Sequence, residues 1–356
     1  MAPQFVRPTV RGMEGYTPGE QPAAGERVVK LNTNENPFPP SPAVMKAVQQ
    51  VEPELLRRYP NSSAKMFREA AATVLNVSAD QILAGNGSDD VLAIALKTFC
   101  SPGDALAYPH PTYSLYPVLA ELDEVKCVEV DWEKDWALPL DALLATKAKA
   151  IFLANPNAPS ATFVSPQRIE ELCKKFSGLV LIDEAYVDFA DDNCLPLIAD
   201  YDNIVITRTL SKAYSLAGIR FGFAVGNADV IKEMNKARDS YPCDAISIAA
   251  ACAAITDQEY AKKTWDHVKS ERQRLSSELT HMGWKVLPSH ANFILATCPD
   301  GRGRNAYLGL KQQGILVRHF EKDGLRDKIR ITVGTSQENN ALLGGIQNLN
   351  AAEKAA

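Results

Sequence analysis

The sequence lacks the patterns that usually hold a metal ion or a disulfide framework. Its 356 residues include seven cysteines, none in a C-x-x-C pair, and five histidines without H-x-x-x-H or H-E-x-x-H spacing. An odd number of scattered cysteines is typical of free thiols in a reducing compartment. We therefore expect no metal site and a cytoplasmic location.

Positive charge and long apolar runs are also scarce. Lys and Arg total 38 against 43 Asp and Glu, which gives a net charge of −5, whereas a nucleic-acid-binding surface needs a basic stripe. No apolar run approaches the ~18 residues that a membrane helix needs. The first 20 residues lack the apolar core of a secretory signal. We expect neither nucleic acid nor a membrane as a partner.

What the chain does contain indicates two globular domains. A length of 356 residues is too great for one ordinary core. Residues 1–40 hold seven prolines and little periodicity, so we expect an extended arm that belongs with the smaller domain. A large domain is predicted over 41–256 and a small C-terminal domain over 257–356.

The large domain is predicted to be α/β with a mostly parallel sheet. The segments "AKAIFLAN", "GLVLIDEAY" and "NIVITRTLS" are short and almost continuously apolar, as strands buried on both faces are. Between them, "SPQRIEELCKKFSG" and "DNCLPLIADY" are long enough for helical crossovers. Beyond Thr256, a charged helix over 258–282 ends at Gly283, and "KVLPS", "NFILAT", "ILVRHF" and "KIRITVG" predict the strands of a smaller α+β domain.

Taken singly, the polar motifs near the predicted strand ends have ordinary explanations. The turn before Ser88 suits a phosphate at a helix N-terminus but also a simple N-cap. Asp183, at the end of a buried strand, needs a cationic partner, which a structural salt bridge would supply equally well. The Asn-Pro loop at 154–161 is explained by turn chemistry, and Lys212 and Arg220 could be surface charges.

Taken in chain order, these groups fit one chemistry, a pyridoxal phosphate held as a Schiff base. The phosphate needs a helix N-terminus, hydroxyls and an arginine. The ring needs an aromatic face, a carboxylate for its protonated nitrogen and donors for its phenolic oxygen. The aldehyde needs a lysine.

The motifs "GYTPGE", "LNTNENPF", "RRYP", "GNGSDD", "PTY", "DEAYVDF" and "TLSKAYSLAGIRFGF" span the chain together with "ANFILA", "ILVRHF" and "IRITVG". Through them the sequence resembles the fold-type I pyridoxal-phosphate-dependent aminotransferases, and within these the histidinol-phosphate aminotransferase family. The resemblance implies three catalytic residues. Lys212 would bind the cofactor covalently and move protons, Asp183 would pair with the ring nitrogen, and Tyr186 would donate to the phenolic oxygen.

The resemblance also implies how the cofactor is held. The phosphate would be bound by a set of donors that includes the backbone of Asp89: Ser88, Asp89, Thr209, Ser211 and Arg220. Tyr113 would stack on the ring. Tyr59 would reach the phosphate from a second subunit, so a homodimer is expected. The family usually has a second Asn where this chain has Ala158, so either Asn157 supplies that amide or Tyr186 acts alone.

For the substrate, the resemblance implies that Arg330 binds the carboxylate of glutamate and the phosphate of histidinol phosphate in turn. Arg318 would add a second phosphate contact, and Tyr16 and Asn292 would line the pocket. The expected reaction transfers the amino group of L-histidinol phosphate to 2-oxoglutarate. An aromatic-amino-acid aminotransferase, a phosphothreonine decarboxylase and a non-catalytic regulator that binds pyridoxal phosphate are the alternatives.

Overall fold

The computed structural model describes residues 3–23, 25 and 27–355. In chain order, its helices are α1 (Pro8–Gly12), α2 (Pro42–Gln49), α3 (Pro53–Leu56), α4 (Lys65–Leu75), α5 (Ser88–Phe99), α6 (Leu115–Leu122), α7 (Leu140–Ala145), α8 (Pro166–Lys175), α9 (Ala228–Ala237), α10 (Ala245–Thr256), α11 (Gln258–His281), α12 (Gly303–Gln312) and α13 (Ser336–Ala355). Its strands are β1 (Val29–Lys30), β2 (Ile82–Gly85), β3 (Ala105–His110), β4 (Lys126–Asp131), β5 (Ala150–Ala154), β6 (Leu179–Asp183), β7 (Ile204–Thr209), β8 (Gly222–Gly226), β9 (Lys285–Val286), β10 (Phe293–Thr297), β11 (Ile315–Leu316), β12 (Arg318–His319) and β13 (Lys328–Thr332).

A seven-stranded sheet with the order β2-β8-β7-β6-β5-β3-β4 forms the centre of the large domain. Strand β8 runs antiparallel to both neighbours, and the pairs from β7 to β4 are parallel. Every residue of β5, β6 and β7 is buried, because helices cover both faces. The predicted α/β fold with a mostly parallel sheet is confirmed.

Two crossovers after the predicted strands differ from each other. Helix α8 begins after Ser165, whose hydroxyl accepts from the Arg168 amide, and Pro166 occupies its first turn, so the predicted helix is confirmed. The segment "DNCLPLIADY" forms only a 3₁₀ helix over Leu195–Ala199. The prediction of a regular crossover helix there was wrong. The segment is short, because the chain must reach β7 at Ile204 within a few residues.

The small domain is built on a four-stranded antiparallel sheet with the order β12-β13-β10-β9. The segment "ILVRHF", which predicts one strand, is divided between two sheets: Ile315–Leu316 pair with β1 of the arm, and Arg318–His319 pair with β13. Helix α11 packs its apolar side chains on this sheet. It ends at His281, and Gly283 follows the C-cap with a φ of 87°, which suits glycine.

The buried side chains form clusters on both faces of the large sheet and a separate cluster in the small domain. Leu31 of the arm belongs to the small-domain cluster, which agrees with the assignment of the arm to that domain. The residue limits of the domains stay a prediction. Within the described ranges, no helix is long and apolar enough to cross a membrane, and no group of three or more His, Cys, Asp or Glu side chains could hold a metal ion.

Candidate active site

A cleft of about 660 Å³ lies where the large sheet, the small domain and the N-terminal arm meet. Asp183 and Thr209, at the carboxyl ends of β6 and β7, line its floor, while Arg318 and Arg330 come from the small sheet and residues 14–17 from the arm. Open α/β sheets bind their ligands at this edge. The cleft is therefore the candidate active site.

At one end of the cleft, helix α5 presents its N-terminus. The chain enters the helix through Gly87, which has a φ of 89°. Gly222 on the neighbouring β8 allows close approach, since a Cβ there would lie 2.4 Å from the Ser88 nitrogen. The first amides of a helix have no partner within it and carry the positive end of the dipole. This end of the cleft therefore suits a phosphate.

Arg220 places a guanidinium beside that helix terminus. Its Nη2 atom donates to Asp89 Oδ2 at 3.2 Å and its Nη1 atom to Ser211 Oγ at 3.4 Å. The hydroxyls of Thr209 and Ser211 lie 3.0 Å apart, and the other Asp89 oxygen accepts from the Tyr113 hydroxyl at 3.0 Å. All five side chains line the cleft. A guanidinium and two hydroxyls thus face the same space as the helix amides.

Asp183 ends strand β6 as a buried carboxylate. Oδ2 accepts from the Tyr116 hydroxyl at 3.0 Å, while Oδ1 accepts from the Thr207 hydroxyl and the Ala185 amide, each at 3.3 Å. Burial raises the pKa of Asp183 to about 6, and the Tyr116 bond opposes that rise. A cationic ligand group would restore the charged form in this setting.

Lys212 follows β7 and extends into the cleft. Its Nζ atom donates to the Thr33 carbonyl at 3.1 Å and lies 5.8 Å from the centre of the Tyr186 ring. Burial, with the nearby Arg330 cation, lowers the pKa of Lys212 to about 8. A substantial fraction of the amine is therefore neutral near physiological pH, as a nucleophile or proton acceptor requires.

Tyr186 lies beside Lys212, three residues beyond Asp183. Its hydroxyl accepts from Asn34 Nδ2 at 3.0 Å, and its ring packs edge-on against Phe293 with centroids 5.0 Å apart. Burial raises the pKa of Tyr186, while Arg330 and the Asn34 bond oppose this. The phenol is thus a neutral hydrogen-bonding group that lines the cleft.

Arg330, on β13, carries a guanidinium without a carboxylate partner among the described residues. Nη2 donates to the Asn32 carbonyl at 3.0 Å, whereas the buried Nε atom has no partner in that set. The guanidinium lies over Phe293 and Phe320 at 5.2 and 5.5 Å. Burial and the neighbouring Arg318 lower the pKa of Arg330. An anionic ligand would relieve both effects.

Arg318 and Tyr16 complete the same side of the cleft. Nη1 of Arg318 donates to the Pro18 carbonyl at 3.4 Å, and its guanidinium lies 5.6 Å from the Phe320 ring centre. Tyr16 of the arm packs edge-on against Tyr113 at 6.1 Å between centroids. Two guanidinium groups and a phenol therefore face this part of the cleft.

Two expected site residues lie outside the cleft. The amide nitrogen of Asn157 donates to the Pro111 carbonyl and to Ser160 Oγ, and its oxygen accepts from Thr112. The buried Asn292 donates to the Asn34 carbonyl behind the cleft. Neither lines the cleft. Both amides hydrogen-bond to neighbouring loops, and the expected contacts of Asn157 with the cofactor and of Asn292 with the substrate stay predictions.

Tyr59 is also absent from the cleft of its own chain. Its side chain is 81% exposed and stacks on Tyr241, with centroids 4.4 Å apart. That position agrees with the expectation that Tyr59 serves a second subunit, and it does not test it.

Sequence reasoning missed the roles of Asn34 and Tyr116. Both are polar groups whose partners, Tyr186 and Asp183, are distant in the chain. The motif "LNTNENPF" contains one hint of an unusual backbone at Asn34. Asparagine adopts positive φ more often than most residues, and Asn34 has a φ of 56°.

Comparison with known proteins agrees with this geometry. The family described as "Aminotransferase class I and II" matches residues 26–346. A curated histidinol-phosphate aminotransferase 1 from Trichormus variabilis is 44% identical, covering 97% of this chain and 99% of that protein. A histidinol-phosphate aminotransferase from Geotalea daltonii is 42% identical, covering 94% and 96%.

Solved structures show the same fold. The histidinol-phosphate aminotransferase of Sinorhizobium meliloti, in complex with pyridoxal-5'-phosphate, superposes with a TM-score of 0.89 at 26% identity, covering 98% of this chain and 99% of that one. An aspartate aminotransferase double mutant from Thermus thermophilus gives a TM-score of 0.82 at 19% identity, covering 97% and 99%.

Proposed function

The chain belongs to the class I and II aminotransferase family, and we propose that it transfers the amino group of L-histidinol phosphate to 2-oxoglutarate in histidine biosynthesis. The products are imidazole acetol phosphate and glutamate. The structural observation that carries the substrate assignment is the pair Arg318 and Arg330, which face the cleft and form no ion pair with a carboxylate of the described residues. Curated proteins of this activity are 40–44% identical over almost the whole chain.

The residues of the cleft fit pyridoxal phosphate as the cofactor. Because Gly222 has no Cβ, no side chain crowds the Ser88 amide at the start of α5, and this amide is open to the phosphate. Arg220 lies beside it. Asp183 is a buried carboxylate without a cationic partner of its own among its hydrogen bonds. Lys212 supplies an amine with a lowered pKa. Phosphate, ring nitrogen and carbonyl would each meet a matching group.

Bound pyridoxal phosphate supplies a carbonyl that links to amines and a ring that withdraws electrons from the adjoining carbon. Lys212 would bind that carbonyl in the resting enzyme and, once displaced, would move the proton at the substrate carbon. Asp183 would keep the ring nitrogen protonated, which makes the ring a better electron acceptor. Tyr186 would donate to the phenolic oxygen, and Tyr113 would cover the ring face.

The arginine pair explains how one cleft would accept two substrates. A guanidinium presents parallel N–H groups that match a carboxylate or a phosphate. Arg330 would bind the carboxylate of glutamate in one half-reaction and the phosphate of the amino alcohol in the other. Arg318 would contact the phosphate, which has a third oxygen to offer. Tyr16 would close the cleft from the arm.

We propose further that two chains form the complete site. Large apolar side chains of the large domain are exposed at Leu55, Leu56, Tyr59, Met66 and Tyr241, and Tyr59 stacks on Tyr241. A partner chain would bury them and bring Tyr59 to the neighbouring cofactor phosphate. A cytoplasmic location is proposed as well, because the cysteines of the described residues form no disulfide.

A comparison of single-turnover rates tests the substrate. The cofactor-loaded enzyme is mixed with histidinol phosphate, histidinol, phenylalanine or phosphothreonine, and the loss of cofactor absorbance is followed. We expect histidinol phosphate to react fastest and its dephosphorylated form to react far more slowly. Faster reaction with phenylalanine would select an aromatic aminotransferase instead. Release of carbon dioxide from phosphothreonine would select a decarboxylase, and reaction with none of them would select a regulator.

A further inference from the structure

Three consecutive residues of the arm contact three separate functional groups of the cleft. The Asn32 carbonyl accepts from Arg330 Nη2 at 3.0 Å, and the Thr33 carbonyl accepts from Lys212 Nζ at 3.1 Å. The Asn34 side chain donates to the Tyr186 hydroxyl at 3.0 Å. The first two contacts use backbone carbonyls, which every residue provides. Asn34 alone acts through its side chain.

The orientation of the Asn34 amide follows from its second partner. Thr332 Oγ1 accepts from the Asn34 backbone amide at 3.0 Å and donates to Asn34 Oδ1 at 3.2 Å. If the amide were rotated by 180°, the buried Thr332 hydroxyl would face an NH₂ group and its own proton would have no acceptor there. Such an unsatisfied buried donor is costly. The oxygen therefore faces Thr332, and the nitrogen faces Tyr186.

This orientation determines what Tyr186 can do. Because an amide NH₂ group only donates, the Tyr186 oxygen must accept from Asn34, and its own proton is left for another acceptor. The Tyr186 side chain borders the cleft. The Asn292 amide donates to the Asn34 carbonyl at 3.0 Å, and the φ of Asn34 is 56°, so the asparagine itself is fixed in place.

We propose that Asn34 is a positioning residue that directs the Tyr186 proton into the cleft, so that Tyr186 donates to the phenolic oxygen of the cofactor. The inference rests on the proposed function, because it concerns the cofactor-binding role of Tyr186. Thr332 acts through Asn34 by fixing its amide. If an acceptor replaced the amide donor, the Tyr186 hydroxyl would turn its proton towards that acceptor and away from the cleft.

The substitution Asn34→Asp tests the proposal with the smallest change of shape. Aspartate tolerates positive φ nearly as well as asparagine, whereas alanine would add backbone strain. The introduced carboxylate only accepts, so it would take the Tyr186 proton. We expect the affinity of the apoenzyme for pyridoxal phosphate, measured by quenching of tryptophan fluorescence, to fall about 10- to 100-fold, as is typical when a hydrogen bond to a charged group is lost.

A second background separates this effect from the added negative charge. In Tyr186→Phe protein, Asn34→Asp should change the cofactor affinity less than about 3-fold, because no hydroxyl remains to be redirected. Equal losses in both backgrounds, or no loss in the wild-type background, would overturn the proposal. Thermal unfolding of each apoenzyme shows whether the variants remain folded, and Thr332→Ser, which keeps the hydroxyl, should retain wild-type affinity. If the unaltered protein does not bind pyridoxal phosphate, the proposed function itself fails.

Discussion

The hydroxyl of Tyr116 donates to the carboxylate of Asp183 at 3.0 Å, and both side chains are buried, with Asp183 at the floor of the cleft. Tyr116 lies on α6 and Asp183 at the end of β6, so the bond links a helix to the sheet edge that carries the site. Burial alone favours the neutral acid, and the bond from Tyr116 favours the carboxylate. Tyr116 therefore helps to keep the charge that the proposed function requires of Asp183.

Removing this hydroxyl should weaken cofactor binding in a pH-dependent way. In Tyr116→Phe, the pKa of Asp183 should rise above its present value of about 6. We expect the affinity for pyridoxal phosphate to fall about 10-fold at pH 6 and to recover towards the wild-type value near pH 8, since a hydrogen bond to a charged group contributes about 1.5–3 kcal/mol. Fluorescence titration of the apoenzyme across this range is the measurement.

Tyr108→Phe provides the matched control for that prediction. Tyr108 is also buried, lies 5.9 Å from Tyr116 between ring centroids, and donates to Glu129 rather than to a cleft residue. It should leave the pH dependence of cofactor binding unchanged. A Tyr116→Phe profile parallel to that of Tyr108→Phe would contradict the role given to Tyr116.

The ionised Asp183 carboxylate should lower the stability of the apoprotein, although the proposed function requires its charge. Its pKa of about 6 lies above the ordinary value of 3.8, so its contribution to stability is present below pH ~4 and is lost as the pH rises through 6. Asp183→Asn should therefore raise the free energy of unfolding of the apoprotein at pH 7.5 by up to about 3 kcal/mol, and at pH 4.5 by only about 1 kcal/mol. Urea unfolding at both pH values is the measurement.

The same variant should bind pyridoxal phosphate more weakly and turn over far more slowly, because the ring nitrogen loses its anionic partner. Asp188→Asn is the control, since burial also raises the pKa of Asp188 to about 6 but the residue does not line the cleft. It should leave cofactor binding intact. A loss of stability in Asp183→Asn at both pH values would argue against the electrostatic account.

Lys212 should react with the cofactor at a lower pH than an ordinary lysine. Only the neutral amine attacks a carbonyl, and burial lowers the pKa of Lys212 to about 8 from 10.5. The rate of covalent attachment to the apoenzyme should therefore rise with pH and level off above a midpoint near 8. Borohydride trapping at timed intervals, followed by peptide mapping, would locate the label on Lys212.

Two variants sharpen that experiment. Lys212→Ala should bind the cofactor without covalent labelling. Arg330→Ala removes a cation that helps to lower the pKa of Lys212, so its midpoint should move to higher pH. Labelling of a different lysine would disprove the assignment.

The elements that could be predicted from the sequence are those whose formation is determined by residues within the element itself. Strand β6 is an apolar run that ends at Asp183, and helix α8 has Ser165 and Pro166 at its start. The segment after Leu316 could not be predicted, because its division into two strands depends on partners from β1 and β13, far away in the chain.

The candidate site divides in the same way. Lys212 could be predicted because it follows a strand in a recognisable motif. The hydrogen bonds of the Asn157 amide to Pro111 and Ser160 could not be predicted from the sequence, and its contact with the cofactor stays a prediction. The role of Asn34 could not be predicted either, because its partner Tyr186 is 152 residues away in the chain.

A subunit-mixing experiment tests the proposed dimer. If Tyr59 serves the neighbouring site, a mixed dimer of Lys212→Ala and Tyr59→Phe chains holds one site with both defects and one with neither. Equal mixing should therefore restore up to about a quarter of wild-type activity, given two-fold symmetry. Each variant mixed only with itself is the control. A fully active monomer in analytical ultracentrifugation would reject the shared site.

The two arginines should separate the half-reactions. Arg318→Ala should lower kcat/KM for histidinol phosphate about 10- to 100-fold, because a charge-assisted hydrogen bond is worth about 1.5–3 kcal/mol, and should affect glutamate less. Arg330→Ala should impair both, since its guanidinium faces the cleft without a carboxylate partner among the described residues. Single-turnover kinetics of each half-reaction provides the comparison.

Arg304→Ala is the control, because that exposed guanidinium pairs with Glu321 at 3.3 Å and does not line the cleft. Equal effects of Arg318→Ala on both substrates would show that Arg318 does not distinguish a phosphate from a carboxylate.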